Sequence, residues 1–168
     1  MPYPEQLVAP MREELTRLEV KELTTGADVE SFFSGLSKDE TTVLIINSVC
    51  GCAAANARPA VALAKQAGHQ PNNYATVFAG QDLEATAAAR VVLAGIPQSS
   101  PFIAVLKGTE PVFVLERRHI EGRTAGAIAT DLVQAFEALA NGQDPTGATQ
   151  NEAIDGESPL PPTFRSIL

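Results

Sequence analysis

Only two of the 168 residues are cysteine, Cys50 and Cys52. That count excludes a disulfide framework, which small secreted domains build from several pairs and a chain of this length does not need. Uninterrupted apolar runs are also lacking. None approaches the eighteen or so residues that suggest a membrane-spanning helix. The opening MPYPEQLVAP has Glu5 and no basic stretch ahead of a long apolar run, so it does not read as a secretory signal. Bases are scarce relative to acids, 12 against 20, for a formal charge of −8. Such a chain repels phosphate backbones, which argues against nucleic acid and anionic membrane surfaces as partners. No internal repeat is present. What remains is a soluble globular unit with 45% apolar residues, enough to bury a core and to exclude wholesale disorder. The cytoplasm is the expected compartment. Thiols stay reduced there, so neighbouring cysteines point to catalysis, redox sensing or metal binding rather than to structure.

Periodicity organises the body. Leu7, Met11, Leu15 and Leu18 predict an amphipathic first helix. Thr25 followed by Asp28 resembles a capping box opening a second, with Val29, Phe32, Phe33 and Leu36 on its buried stripe. TTVLIINSV (41–49) is β-branched and almost continuously apolar, as a strand covered on both faces should be. It runs into Cys50-Gly51-Cys52, and then into an alanine-rich helix over 53–67 that Pro59 should kink or break. A strand over 74–80 and a helix from Asp82 to about Ala94 follow. Segments 101–108 and 111–117 read as a hairpin, and 124–140 as a closing helix with Ile128, Leu132, Val133, Phe136 and Leu139 on one face. The order α-α-β-α-β-α-β-β-α predicts an α/β fold. A parallel β-α-β unit is extended by a hairpin into a mixed sheet with helices on both faces.

Residues 1–141 form this body, at −5 from 16 acids and 11 bases; 142–168 differ, at −3 from four acids and one base. The tail has little periodicity. It reads either as a solvated flexible appendage or, through Ile154, Leu160, Phe164, Ile167 and Leu168, as a segment that docks on the body or on a second copy in a homo-oligomer.

A cysteine at the end of a buried strand and the start of a helix meets free backbone N–H groups and the positive end of the helix dipole. Both favour a thiolate and lower the thiol pKa. Cys50 precedes the helix and is assigned as the nucleophile; Cys52, in the first turn, is the resolving thiol. Side chains two residues apart on a helix diverge, so a Cys50–Cys52 bridge needs an unusual backbone, which Gly51 permits. Two thiols fall short of a four-ligand zinc site, and His69 and His119 lie at no ligand-like spacing, so no metal is expected. Each histidine reads as an ordinary loop or surface residue. Pro101 opens a strand after Ser99-Ser100; base rates for X-Pro bonds favour trans there. Arg58, the nearest base in sequence to Cys50, is a candidate for binding a substrate carboxylate, against the plainer reading of a solvated surface arginine.

NSVCGCAAANARPA (47–60), TVFAGQDLEATAAAR (76–90), SSPFIAVLKG (99–108), RHIEG (118–122) and LVAPMREEL (7–15), in this order, closely resemble the bacilliredoxin family over about residues 3–141. The resemblance implies a thioredoxin-like fold with extra N-terminal helices. It implies no resident cofactor, and removal of the small thiol bacillithiol from protein mixed disulfides, with possible disulfide isomerase activity. Cys50 then attacks the mixed disulfide and Cys52 completes release. It also implies that Ser100–Pro101 is cis and faces the redox motif, and that Pro59 is the kink after the active site. The 142–168 tail has no counterpart in that pattern. The implied partners are proteins carrying mixed disulfides and a low-molecular-weight thiol. A second reading is a non-enzymatic redox-sensing or metal-carrying module built on the same pair.

Overall fold

The computed structural model describes residues 1–145. Its elements are α1 (Glu5–Thr16), β1 (Lys21–Glu22), α2 (Gly26–Ser34), β2 (Thr41–Asn47), a π-helical segment Ala53–Ala57 continuing as α3 (Arg58–Ala64), β3 (Asn73–Phe78), α4 (Leu83–Val92), β4 (Phe102–Lys107), β5 (Glu110–Leu115), α5 (Arg117–Ile120) and α6 (Ala125–Ala140). The strands form one sheet in the order β1-β3-β2-β4-β5. β2 and β3 are parallel, while β4 and β5 run antiparallel to their neighbours. This mixed sheet flanked by helices is consistent with a thioredoxin-like α/β fold.

β2 shows why its sequence is apolar throughout. Successive side chains point to opposite faces of a sheet, and both faces are covered. Val43 and Ile45 enter a core with α1, α3 and α6, where Leu15, Val61, Leu132 and Phe136 lie. Leu44 and Ile46 enter a second core under α2 and α4, with Val29, Phe33, Ala89 and Leu93. Each such fully buried aliphatic side chain contributes roughly 1.5–3 kcal/mol.

The helix signals hold with adjustments. Thr25 and Asp28 form both bonds of the capping box. In α1 Leu15 is buried and Leu18 packs against the core as expected, whereas Leu7 is exposed and Val8 takes its place at the start of the stripe. The hairpin turn is tighter than expected, leaving Gly108-Thr109 between β4 and β5. Gly108 has φ +58°, and a Cβ there would sit 3.0 Å from the Lys38 backbone, so only glycine fits.

Three features were not anticipated. β1 is a two-residue strand paired with β3, too short and too charged to show a period. The second hairpin strand ends at Leu115, because Glu116 and His119 close a capping box that starts α5 at Arg117. The helix after Cys52 is π-helical before Pro59. Proline has no N–H to give and its ring crowds the carbonyl four residues back, and the wider turn relieves both. The expectations for the tail, from residue 146 onward, lie outside the described residues.

Candidate active site

β2 delivers Asn47, and three residues later the chain reaches Cys50 at the mouth of the π-helical turn. The Cys50 carbonyl accepts the Ala53 and Ala54 N–H groups at 3.1 and 3.3 Å, which starts the helix directly after the motif. The Cys50 and Cys52 sulfurs are unbridged and lie 2.6 Å apart. The Ser48 hydroxyl lies 3.1 Å from the Cys50 sulfur.

These contacts divide the pair. Burial alone would push the Cys50 thiol up. The hydrogen bonds from Cys52, Ser48 and the Ala53 N–H, with the positive charge of Arg117, outweigh it and hold Cys50 below the usual thiol value. Cys52 moves the other way, through burial, then its hydrogen bond to Cys50, then the charge on Cys50. The reduced site is therefore biased: Cys50 is the sulfur that ionises more readily and Cys52 the one that keeps its proton longer.

Gly51 is exposed and its φ is not in the left-handed region, so in this reduced form it supplies no special backbone. What it supplies is space: a Cβ there would meet nothing within 4 Å, leaving the approach to the sulfurs uncluttered.

The opposite wall comes from the start of β4. Ile46 pairs with Phe102 in the β2–β4 register, which sets Pro101 beside the strand end that carries the motif. The Ser100–Pro101 bond is cis. Arg117 ties this loop to α5: its N–H donates to Ser99 Oγ at 3.1 Å and its Nη1 reaches the Ser100 carbonyl at 3.5 Å. Its guanidinium also pairs with Glu121 at 3.3 Å. From the other side, Asn56 of the π-helical segment donates to the Arg123 carbonyl. The 117–123 stretch is thus latched to both walls of the site.

Arg58 corrects both earlier readings of it. It is neither solvated nor presented to a ligand: its side chain is 3% exposed and lies beneath the motif. Nε bonds Glu14 at 2.6 Å, and Nη1 bonds Asn47 Oδ1 and the Ser48 carbonyl, each at 3.0 Å. Asn47 Oδ1 also takes the Ser48 N–H, and its Nδ2 donates to the Met11 carbonyl. Arg58 is therefore a strut fastening the 47–50 segment to α1. The cation beside the sulfurs is Arg117, and Ser48 is the second contributor that sequence reasoning missed. Neither carries a local signal: Arg117 is one of three arginines within 117–123, distant from Cys50 along the chain.

His69 is exposed. His119 is more than a surface residue. It is half-buried and its Nδ1 accepts the Glu116 N–H at 3.0 Å. Burial, then the Arg118 charge, pushes its pKa down. Among the described residues no group of three or more His, Cys, Asp or Glu side chains comes together to hold a metal. No helix there is long and apolar enough to cross a membrane.

A family model described as disulphide isomerase matches residues 3–140. A bacilliredoxin of Salinibacter ruber is 56% identical over 171 aligned residues, covering 99% of each chain. A second bacilliredoxin of that organism is 51% identical, also over 99% of each. One from Bacillus cereus is 49% identical over 136 residues, 80% of this chain and 93% of its own. The Salinibacter alignments run on through the tail, which therefore does have counterparts, in relatives of matching length.

Proposed function

The chain belongs to the disulphide isomerase family, with bacilliredoxins as its relatives, and on that premise we propose that it removes bacillithiol from protein mixed disulfides in the cytoplasm. At the coarser level it is a thiol–disulfide oxidoreductase. The single observation that supports this reading is the paired CGC sulfurs, 2.6 Å apart, with contacts that favour ionisation of Cys50 over Cys52. In the first exchange the Cys50 thiolate attacks the bacillithiol sulfur. A Cys50–bacillithiol disulfide forms, and the client cysteine leaves as a thiolate and takes a proton from water. In the second, Cys52 gives up its proton and attacks the Cys50 sulfur, releasing bacillithiol thiolate and closing a Cys50–Cys52 disulfide. The client disulfide gains two electrons and the pair loses two; a thiol reductant returns the pair to its reduced form. Only the thiolate is nucleophilic, so contacts that lower the Cys50 pKa raise the fraction able to attack. Ser48, the Ala53 N–H and Arg117 stabilise it. The 99–101 loop forms the wall along which the mixed disulfide lies.

The test is turnover of a bacillithiol-modified protein with mass detection of the intermediates. Cys50→Ser should abolish release. Cys52→Ser should still free the client while trapping bacillithiol on Cys50. Turnover that survives Cys50→Ser refutes the assignment.

A further inference from the structure

Five arginines among the described residues pair with carboxylates: Arg12, Arg58, Arg117, Arg118 and Arg123. Arg17 lies in solvent. Arg90, in the last turn of α4, is half-buried and pairs with no carboxylate. Its Nη1 donates to the neutral Gln98 Oε1 at 2.7 Å. Its Nε is the one buried side-chain nitrogen or oxygen, among the described residues, with no hydrogen-bond partner. An unpaired buried donor is costly, the more so when it belongs to a charged group. In a chain this acidic, no carboxylate of the described residues has been placed to meet it.

Arg90 lines a cavity of about 90 Å³ between the end of α4 and the 93–99 loop. Ile46, Leu93 and Phe102 supply its apolar lining, and Gln98 and Ser99 its polar groups. The volume exceeds that of a single water, about 30 Å³ in the liquid, and accommodates a small polar group.

Its position links it to the redox pair. Ile46 and Phe102 form the pair at the Cys50 end of the β2–β4 ladder, and both line the cavity. Cys50 follows Ile46 by four residues, so their Cα atoms are at most about 14 Å apart. Ser99 shares a loop with the cis Ser100–Pro101 bond, and its Oγ holds the backbone of Arg117, the cation beside the sulfurs. The cavity and the redox pair are therefore joined through the 99–101 loop, one end of which lines the cavity while the other flanks the motif.

We propose that this cavity is the subsite for a carboxylate of the small thiol carried on the mixed disulfide, with Arg90 as the binding residue. A carboxylate seated there gives the guanidinium, through its outer N–H groups, the counter-charge that no carboxylate of the described residues supplies. The apolar lining packs against the carbon skeleton. This extends the reading of the protein as a mixed-disulfide reductase and rests on it.

The test compares one client peptide carrying either bacillithiol, which has carboxylates, or neutral 2-mercaptoethanol as the disulfide-linked small thiol. With Arg90→Met, the ratio of kcat/KM for the first substrate to that for the second should fall about tenfold or more, as expected for one lost charge-assisted bond. An unchanged ratio overturns the proposal, whether both rates fall together, because Arg90 merely holds Gln98 and its loop or meets the client, or neither falls, because water alone meets the guanidinium. A fallen ratio excludes a client carboxylate as the source, since the client is common to both arms. Arg90→Gln serves if Arg90→Met does not fold. Calorimetry with S-methyl bacillithiol, which cannot exchange, separates the two levels of the argument. Arg90-dependent binding without turnover retains the subsite and sinks the functional reading. Turnover with Arg90-independent binding does the reverse.

Discussion

Replacing Arg58 by methionine should unseat the strand end that carries the nucleophile. The substitution keeps most of the apolar stem and deletes the guanidinium, so three acceptors lose a charged donor: Glu14 at 2.6 Å, and Asn47 Oδ1 and the Ser48 carbonyl at 3.0 Å. Their losses differ. The Glu14 side chain is 37% exposed and can regain water, so this pair is worth no more than about 1 kcal/mol. The Ser48 carbonyl loses its donor in a residue only 7% exposed, at a cost of roughly 1–2 kcal/mol. Asn47 Oδ1 keeps the Ser48 N–H, so its loss is about 0.5–1 kcal/mol. The sum is about 3 kcal/mol, at the low end for breaking a buried ion pair. For a chain of this size that lowers Tm by about 6–12 °C. Circular dichroism during heating and urea unfolding of the reduced protein measures it. Turnover should fall alike on bacillithiol and neutral mixed disulfides, because Arg58 faces no ligand. Unaltered stability with selective loss on the carboxylate-bearing substrate would refute this and return Arg58 to recognition.

Further outcomes follow from the contacts around the two sulfurs and around α1. Iodoacetamide alkylation followed against pH should show Cys50 reacting with an apparent pKa below the ordinary thiol value. Arg117→Met should move that midpoint upward, more so at low salt. In Cys50→Ser, the Cys52 midpoint should fall relative to the reduced wild type, because the charge that raises it is gone; an unmoved Cys52 would mean that the two thiols do not interact. Asp82→Asn removes the charge that Arg12 meets with two bonds at 2.7 and 3.0 Å, both side chains being less than 15% exposed. It should destabilise the protein by about 1–3 kcal/mol in denaturant titration, chiefly by loosening α1 from α4. A loss below a few tenths of a kcal/mol would show that the Arg12–Asp82 pair does not help to hold α1.

Local and periodic information was legible in the chain. The double-faced apolar run of β2, the Thr25 cap, the hairpin and the closing helix each follow from spacing over a few residues. So does the placement of Cys50-Gly51-Cys52 between strand and helix, since covalent neighbours remain neighbours after folding. Electrostatic company is another matter. Whether a charge lies in water or under a loop depends on which distant segments fold over it, and nothing adjacent in sequence records that. Arg58 looked like the cation nearest the thiols and is buried as a strut, whereas Arg117 reaches the site only because the β4–β5 hairpin brings α5 back to the Ser99–Pro101 loop. The unequal states of the two cysteines depend partly on that same return. The unpaired Nε of Arg90 exists only once α4 and the loop before β4 enclose it. The sequence by itself determined that a reactive pair would stand at the end of β2. Tertiary packing decided which sulfur ionises more readily, which arginine favours that and which arginine is left without a carboxylate, because those outcomes depend on distances and dielectric that only the folded chain creates.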